Sequence, residues 1–174
     1  MDSSKSNARV IMVLVSAAAL AFLLVGCQGS SLITGKGDQL QQSAQIAIAE
    51  SGEHSGNYQT DNVNIDYTYT RSAPQTLQMS GTVTYSSALQ QNYNMINYFN
   101  VGIFLADASG NVLGMRDLAT GQANFTDGAP SSLTFNKTLQ IPAATAMIAF
   151  RYEGQAQGDM HGAPTEFFQY PIVH

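Results

Sequence analysis

Residues 62–70 read Asn-Val-Asn-Ile-Asp-Tyr-Thr-Tyr-Thr, with an apolar side chain at every odd position and a polar one at every even position. Side chains of an extended strand point alternately to two faces, so this segment places one face in a core and the other in water. Residues 77–85 repeat the two-residue period after a break at Pro74. Gly81 falls on the inward side of this second segment, which indicates a β-bulge or a close backbone approach. The two segments predict two half-buried strands.

Five further strands follow along the chain. Residues 96–106 are almost continuously apolar, which is typical of a central strand that is covered over most of its length. Residues 107–111 form a turn signal with Gly110 available for positive φ, and the chain returns at Val112, so a hairpin is predicted here. The remaining strands are predicted from alternation and from flanking turn residues over 133–139, 146–152 and 166–170, the last ended by Pro171.

These segments amount to about seven strands at spacings of roughly ten to twenty residues, with turn residues between them. The pattern predicts an all-β fold, a single antiparallel β-sandwich over residues 38–174. It is immunoglobulin-like in architecture only, since the chain has no Trp and a single Cys in place of a disulfide pair. A β-barrel is the alternative.

The segment before the strands is ambiguous. Asp38 at its start and its Gln, Ala and Leu content favour a short amino-terminal helix over residues 38–50. Ala44, Ile46 and Ile48 also alternate with their neighbours as they would in a strand. We expect the helix, followed by a loop over residues 51–57, which are rich in Gly and Ser.

Composition excludes several classes of protein. The chain has 174 residues, with 7 Lys+Arg against 12 Asp+Glu and a net charge of −5, so nucleic-acid binding is not expected. With 44% hydrophobic and 11% charged residues, the chain is too apolar to be disordered. Its one Cys allows no internal disulfide and no multi-Cys metal site.

The amino terminus has the features of a secretory signal peptide over residues 1–26. Lys5 and Arg9 precede an uncharged, mostly apolar run over residues 10–26. The run is 17 residues long, near the lower limit for a membrane span, so an uncut transmembrane anchor is one alternative. An ordinary secretory leader with an unmodified Cys nearby is the other.

The run ends in Leu24-Val25-Gly26-Cys27, which resembles the lipobox of bacterial lipoproteins. The resemblance implies cleavage between Gly26 and Cys27 and attachment of a diacylglycerol to the Cys27 thiol, so that the membrane is a partner through this lipid. Two or three acyl chains would hold the protein at a bilayer, because each buried methylene contributes about 0.8 kcal/mol. In bacterial lipoproteins, an Asp directly after the lipidated Cys is associated with retention in the inner membrane. Since this position is Gln28, the resemblance implies the outer membrane if the source has two membranes. Residues 27–37 are predicted to be the lipidated Cys and a flexible tether.

No catalytic constellation, metal site or cofactor site is predicted, and we expect a protein that is not an enzyme. His54, His161 and His174 are interpreted as surface residues, and no G-x-S-x-G motif occurs. Asp159-Met160-His161 offers three ligand types but no paired His spacing, which argues against a metal. The oxygen-rich turn at 107–111 lacks the full set of calcium ligands. Glu50 and Glu53 are interpreted as solvated charges.

One segment is a candidate for ligand contact. Residues 85–98 mix Tyr with Asn and Gln and contain no charge, and aromatic rings beside amides suit a sugar or a protein surface. The candidate contacts are Tyr85, Tyr93, Asn94 and Tyr98. The alternative is a polar loop whose Tyr side chains cover the edge of the sandwich.

The functional hypothesis is a lipid-anchored, extracytoplasmic protein of the cell envelope with a structural or accessory role, bound to an envelope protein. The alternatives are a carbohydrate- or small-ligand-binding module in the periplasm or on the cell surface, and a hydrolase with a scattered site.

Overall fold

The computed structural model describes residues 35–126, 132–158 and 162–173, and the structural statements below refer to these ranges. They contain eleven strands, one α-helix and one 3-10 turn. In chain order these are β1 (Gln39–Leu40), the 3-10 turn (Gln42–Ala44), β2 (Ile46–Ala47), β3 (Glu53–Gln59), β4 (Val63–Ala73), β5 (Thr76–Tyr85), α1 (Ser87–Asn92), β6 (Met95–Ala106), β7 (Val112–Asn124), β8 (Ser132–Gln140), β9 (Met147–Gln157), β10 (Thr165–Gln169) and β11 (Ile172–Val173).

The strands form two main antiparallel sheets. One sheet has four strands in the order β3-β4-β5-β8. The other has five, in the order β10-β9-β6-β7, with β2 pairing to β9 as well. β1 and β11 form a separate two-stranded ribbon. The predicted all-β sandwich is therefore confirmed, and each of the seven predicted strands corresponds to one of the strands from β4 to β10.

The main core lies between the two sheets. Alternate residues of β4 and β5 on one sheet meet alternate residues of β6 and β9 on the other. Aromatic rings join the sheets, with ring centroids 4.9 Å apart for Tyr67 and Phe150 and 5.3 Å apart for Tyr85 and Phe99. This is the packing that a sandwich requires, because each sheet turns an apolar face toward the other.

Strand β6 is central in its sheet, between β9 and β7, as the continuous apolar run predicted. Its inward residues enter the main core, and its last residues are buried on the outer face too. There Phe104 packs in a second apolar cluster with Leu40, Val112 and Ala149. The amino-terminal segment and the β1–β11 ribbon thus cover one end of the outer face and leave the other end open.

Gly81 provides the close approach that its inward position predicted. A Cβ at this position would lie 2.6 Å from Cζ of Phe135 and would collide with the backbone oxygen of Asp66. Gly81 pairs with Phe135 across β5 and β8, so the ring lies over the space that a side chain would occupy.

The predicted helix over residues 38–50 is wrong. The segment contains only the 3-10 turn, flanked by β1 and β2. Leu40 pairs with Ile172 and Ile46 pairs with Ile148, so the backbone hydrogen bonds go to neighbouring strands instead of along a helix. Ala44 and Ile48 are buried, in agreement with the alternative strand-like alternation.

The predicted loop over residues 51–57 is wrong from Glu53 onward. Glu53 begins β3, which pairs with β4 from Glu53 opposite Thr70 to Gln59 opposite Asn64. β3 lies at a sheet edge, so only one side of it is paired and its composition stays polar. Gly56 is at an inward position of β3, and the ring of Tyr67 fills the space that its side chain would occupy. Because Gly56 has no apolar side chain, the alternation of apolar and polar residues is not visible in the sequence of β3.

The predicted flexible tether over residues 27–37 is wrong for residues 35–37, which form backbone hydrogen bonds. The amide of Asp38 donates to the carbonyl of Gly35 over 3.0 Å, and the amide of Gly37 donates to the carbonyl of Val112 over 3.1 Å. Gly35 has a φ of 57°, and a Cβ at this position would lie 3.0 Å from Cε1 of Phe104. Its conformation, which favours glycine, lets the chain turn onto the apolar cluster.

Candidate functional site

The two outer faces of the sandwich differ in chemistry. The face of the four-stranded sheet is lined with hydroxyl and amide side chains, among them Thr68, Ser80 and Asn136, around an open depression of about 810 Å³. The outer face of the five-stranded sheet carries two exposed aromatic residues, Tyr98 on β6 and Phe168 on β10. They are 42% and 64% exposed. Exposed aromatic side chains are more often contact points than hydroxyls are, so the second face is the candidate site.

Strand register assembles the site from three strands. Phe168 on β10 pairs with Glu153 on β9, and Glu153 pairs with Asn100 on β6. Because paired residues point to the same side of a sheet, these side chains form one row across the outer face.

A second row lies beside the first. Glu166 on β10 pairs with Gln155 on β9, which pairs with Tyr98 on β6. A bulge between Ile96 and Tyr98 turns Asn97 outward too, and its amide donates to the Oε1 atom of Gln155 over 3.1 Å. We call the outward residues Tyr98, Asn100, Glu153, Glu166 and Phe168 the platform.

A cleft of about 360 Å³ opens in the platform. Its polar lining consists of Tyr98, Asn100, Thr120, Gln122 and Glu153. The Oδ1 atom of Asn100 is buried and accepts no hydrogen bond from the described residues. A buried acceptor without a donor is energetically costly.

An ion pair and a tyrosine hydroxyl lie next to the platform. Arg151 on β9 is 2% exposed, and its Nη2 atom donates to Oδ1 of Asp117 on β7. The hydroxyl of Tyr170 donates to Oε2 of Glu153 over 2.5 Å. Burial, together with this bond to Glu153, raises the pKa of Tyr170 to about 12. Tyr170 is therefore a neutral donor at neutral pH, and it holds the Glu153 carboxylate in place.

Tyr98 lies in a negative environment. Burial raises the pKa of Tyr98 above its ordinary value, and the charges of Glu153 and Glu166 raise it further. The two carboxylates are therefore close enough to act on a group bound against the Tyr98 ring.

The four predicted contact residues do not form one site. Tyr85 is only 3% exposed and belongs to the main core, so it does not reach a surface ligand. Tyr93 is half-buried in a different cleft, of about 290 Å³, between α1 and β10. Asn94 is exposed, and its backbone bonds to Gln157 and Phe125. Only Tyr98 lies on the platform.

Glu153, Phe168 and Arg151 were not predicted as site residues. One signal for Phe168 was present in the sequence, since Phe167 and Phe168 are consecutive in a strand and one of them must face outward. For Arg151, the sequence indicated only a place on the predicted strand 146–152, and Glu153 lies just beyond the end of that strand.

Several other predicted residues have ordinary structural roles. His54 donates from Nε2 to the carbonyl of Ser51 over 2.8 Å and stacks on Tyr69. Asp107 accepts from the backbone amides of Ser109 and Asn111 in the predicted hairpin turn, where Gly110 has a φ of 84°. Hydrogen bonds from Asn111 and from nearby backbone amides lower the pKa of Asp107.

Glu50 and Glu53 are both exposed, which fits their interpretation as solvated charges. Cys27, Gly26, Asp159, Met160, His161 and His174 lie outside the described residues. Within the described ranges, no group of three or more His, Cys, Asp and Glu side chains is placed to hold a metal ion. In those same ranges, no helix has the length and hydropathy to cross a bilayer.

Comparisons with known proteins do not assign the chain to a family. No protein-family model matches the chain, and no curated protein sequence is significantly similar to it.

Proposed function

We propose that the protein is a bacterial lipoprotein, anchored through lipid on Cys27, whose β-sandwich binds a protein of the cell envelope in a structural or accessory role. The observation that carries the binding role is the platform, where two exposed aromatic residues flank carboxylates and amides. Aromatic side chains supply much of the contact energy in protein interfaces. The lipobox over Leu24–Cys27 supports the anchor and an extracytoplasmic location.

The domain acts by binding and not by catalysis. His54, the histidine within the described ranges, is committed to Ser51 and Tyr69. Glu153 accepts from the hydroxyl of Tyr170 and has no hydrogen bond to a histidine within the described ranges. These contacts support a binding module in preference to a hydrolase.

Lipid attachment is tested by metabolic labelling with a palmitate analogue in cells that express the full chain. We expect the wild type to be labelled and recovered in membranes, and Cys27→Ala to be unlabelled. Inhibition of the lipoprotein signal peptidase should leave a lipid-labelled precursor with its signal peptide. A wild-type chain that carries no label would contradict the anchor.

Binding is tested by placing a photo-cross-linking amino acid at position 98 or 168 of the full chain in its native cells. Positions 68 and 80 on the opposite face are matched controls, because they are strand residues on the outer face of the other sheet. We expect the same defined cross-linked protein from both platform positions and none from the controls. Equal cross-linking from both faces would contradict the assignment of the interface.

A second candidate function is carbohydrate binding, and the position of Tyr98 favours it. The ring lies beside the amides of Asn97 and Gln155, which bond to each other. Aromatic faces stack on sugar rings while amides donate to and accept from hydroxyl groups. A glycan-array signal that is lost in Tyr98→Ala and kept in Tyr93→Ala would support this function.

A further inference from the structure

We propose that the platform recognises a basic segment of its protein partner, with an arginine or lysine side chain bound in the cleft between Tyr98 and Glu153. This inference rests on the proposed protein-binding function and names the chemistry of the partner.

The first argument is the hydrogen-bonding character of the cleft. Oδ1 of Asn100 is a buried acceptor without a donor, and Oε1 of Glu153 accepts no bond from the described residues. A guanidinium group has five N–H donors and no acceptor, and an ammonium group has three donors. Such a group would donate to Oε1 of Glu153, which lines the open cleft.

The second argument is charge. The negative charges of Glu153 and Glu166 both raise the pKa of Tyr98, so both lie near its ring. The nearby positive charge, on Arg151, is paired with Asp117. The other two arginines of the described ranges, Arg71 and Arg116, bond to backbone carbonyls. The platform therefore has an excess of negative charge, and the net charge of the whole chain is −5.

The third argument is the pair of aromatic residues. Phe168 and Tyr98 lie on β10 and β6 with β9 between them, and they belong to neighbouring rows, so about 12 Å separates their backbone positions. A cation bound over the face of Tyr98 would be attracted by the negative face of the ring, and more strongly if water is excluded. Phe168 would contact the apolar stem of a neighbouring side chain.

A neutral glycan fits the cleft less well. Covering Glu153 and Glu166 with an uncharged ligand would remove water from two carboxylates without a compensating charge, which is costly. With a cationic side chain this cost is offset, because a carboxylate gains an ionic hydrogen bond in place of water.

The test uses the full lipidated chain in nanodiscs made of neutral lipid, so that the bilayer does not itself attract cations. The probe is a fluorescent Gly-Ser peptide with three arginines, and its counterpart carries citrulline, an uncharged isostere. Binding is measured by fluorescence anisotropy at about 0.02 M and about 0.2 M salt, since exposed charge interactions weaken with screening.

We expect the arginine peptide to bind at least about tenfold more tightly than the citrulline peptide, which corresponds to about 1.4 kcal/mol. Glu153→Gln should weaken arginine-peptide binding about tenfold, and Glu166→Gln by a smaller factor. Glu53→Gln is the matched control, because it removes one exposed glutamate charge on the opposite sheet and should leave binding unchanged. Tyr98→Phe should keep most of the affinity and Tyr98→Ala should lose it.

Three results would overturn the inference. They are no binding of the arginine peptide, equal binding of the citrulline peptide, and equal effects of Glu153→Gln and Glu53→Gln. If the cross-linked partner still bound Glu153→Gln at high salt, the protein-binding function would stand and the basic chemistry would be wrong. If only neutral glycans bound, and Tyr98→Ala abolished that binding, both proposals would fail. Circular dichroism of each variant confirms that it is folded.

Discussion

The guanidinium of Arg151 passes over Gly102. A Cβ at Gly102 would lie 3.1 Å from both Nε and Nη2 of Arg151. Gly102 stands opposite Arg151 on β9 and opposite Asp117 on β7, so the arginine crosses the glycine to reach the carboxylate. The missing side chain is what permits a buried cation to pair with a group two strands away.

Gly102→Ala should destabilise the fold by about 2 kcal/mol, which is typical of overpacking at a closed position. The new methyl would lie 2.6 Å from the backbone oxygen of Arg116 and would displace Arg151. Urea denaturation measures the change. Gly158→Ala is the control, since its nearest neighbour would be the oxygen of Asn92 at 3.7 Å, and we expect a change within about 0.5 kcal/mol. Equal stability of the two variants would contradict the packing described.

Tyr85→Phe and Tyr152→Phe should change stability in opposite directions. The Tyr85 hydroxyl is buried without a partner among the described residues, so its removal should stabilise the protein by about 1 kcal/mol. The Tyr152 hydroxyl lies 2.9 Å from Oγ1 of Thr60 and accepts from Nδ2 of Asn62 over 3.2 Å, so its removal should destabilise by about 1 kcal/mol. Thermal and urea unfolding of both variants give the sign. A loss of stability in Tyr85→Phe would show that this hydroxyl is bonded.

Stability should fall as the pH rises from about 10 to about 12. Burial raises the pKa of Tyr85 to about 12 from an ordinary 10.0. Between these values the unfolded chain loses a proton that the folded chain keeps, so unfolding is favoured by up to about 1.4 kcal/mol per pH unit for one fully shifted group. Below the unfolded pKa of 10.0, tyrosine ionisation contributes no pH dependence.

Urea titrations across this pH range should show a shallower fall for Tyr85→Phe than for the wild type. Tyr170, whose pKa is also raised to about 12, remains in this variant and accounts for part of the residual slope. Identical slopes in the two proteins would mean that Tyr85 titrates normally.

Arg71 should stabilise the end of the sandwich where two turns meet. Its Nη1 atom donates to the carbonyl of Thr145 over 2.9 Å, and Nη2 donates to those of Pro74 over 2.6 Å and Ala143 over 3.2 Å. Arg71→Ala should cost about 2 kcal/mol, because charge-assisted bonds are stronger than neutral ones. Arg71→Lys should recover only part of the loss, since an ammonium lacks the planar fork.

Lys137→Ala is the comparison for Arg71, because Lys137 is exposed and its loss should change stability by less than about 0.5 kcal/mol. Equal unfolding free energies for Arg71→Ala and Lys137→Ala would show that the three carbonyl contacts contribute nothing measurable.

The sequence predicted correctly those strands whose own residues show a pattern of apolar side chains. The alternation over β4 and the apolar run of β6 come from side chains that must be buried whatever their partners are. It failed for β3, because an edge strand needs few apolar residues and the ring of Tyr67 fills the place of a side chain at Gly56. It also failed for the helix over residues 38–50, where pairing with β9 and β11 outweighed local helix propensity.

By itself, the sequence determined the fold class and the strands with a buried face, because alternation with a period of two is a local property of the chain. It also defined the hairpin at Asp107 and the lipobox that motivates the proposed anchor. Only the tertiary structure decided that Tyr98 shares a surface with Glu153 and Phe168 and not with Tyr85. The physical reason is that strand pairing joins residues far apart in the chain, and its register depends on the whole sheet.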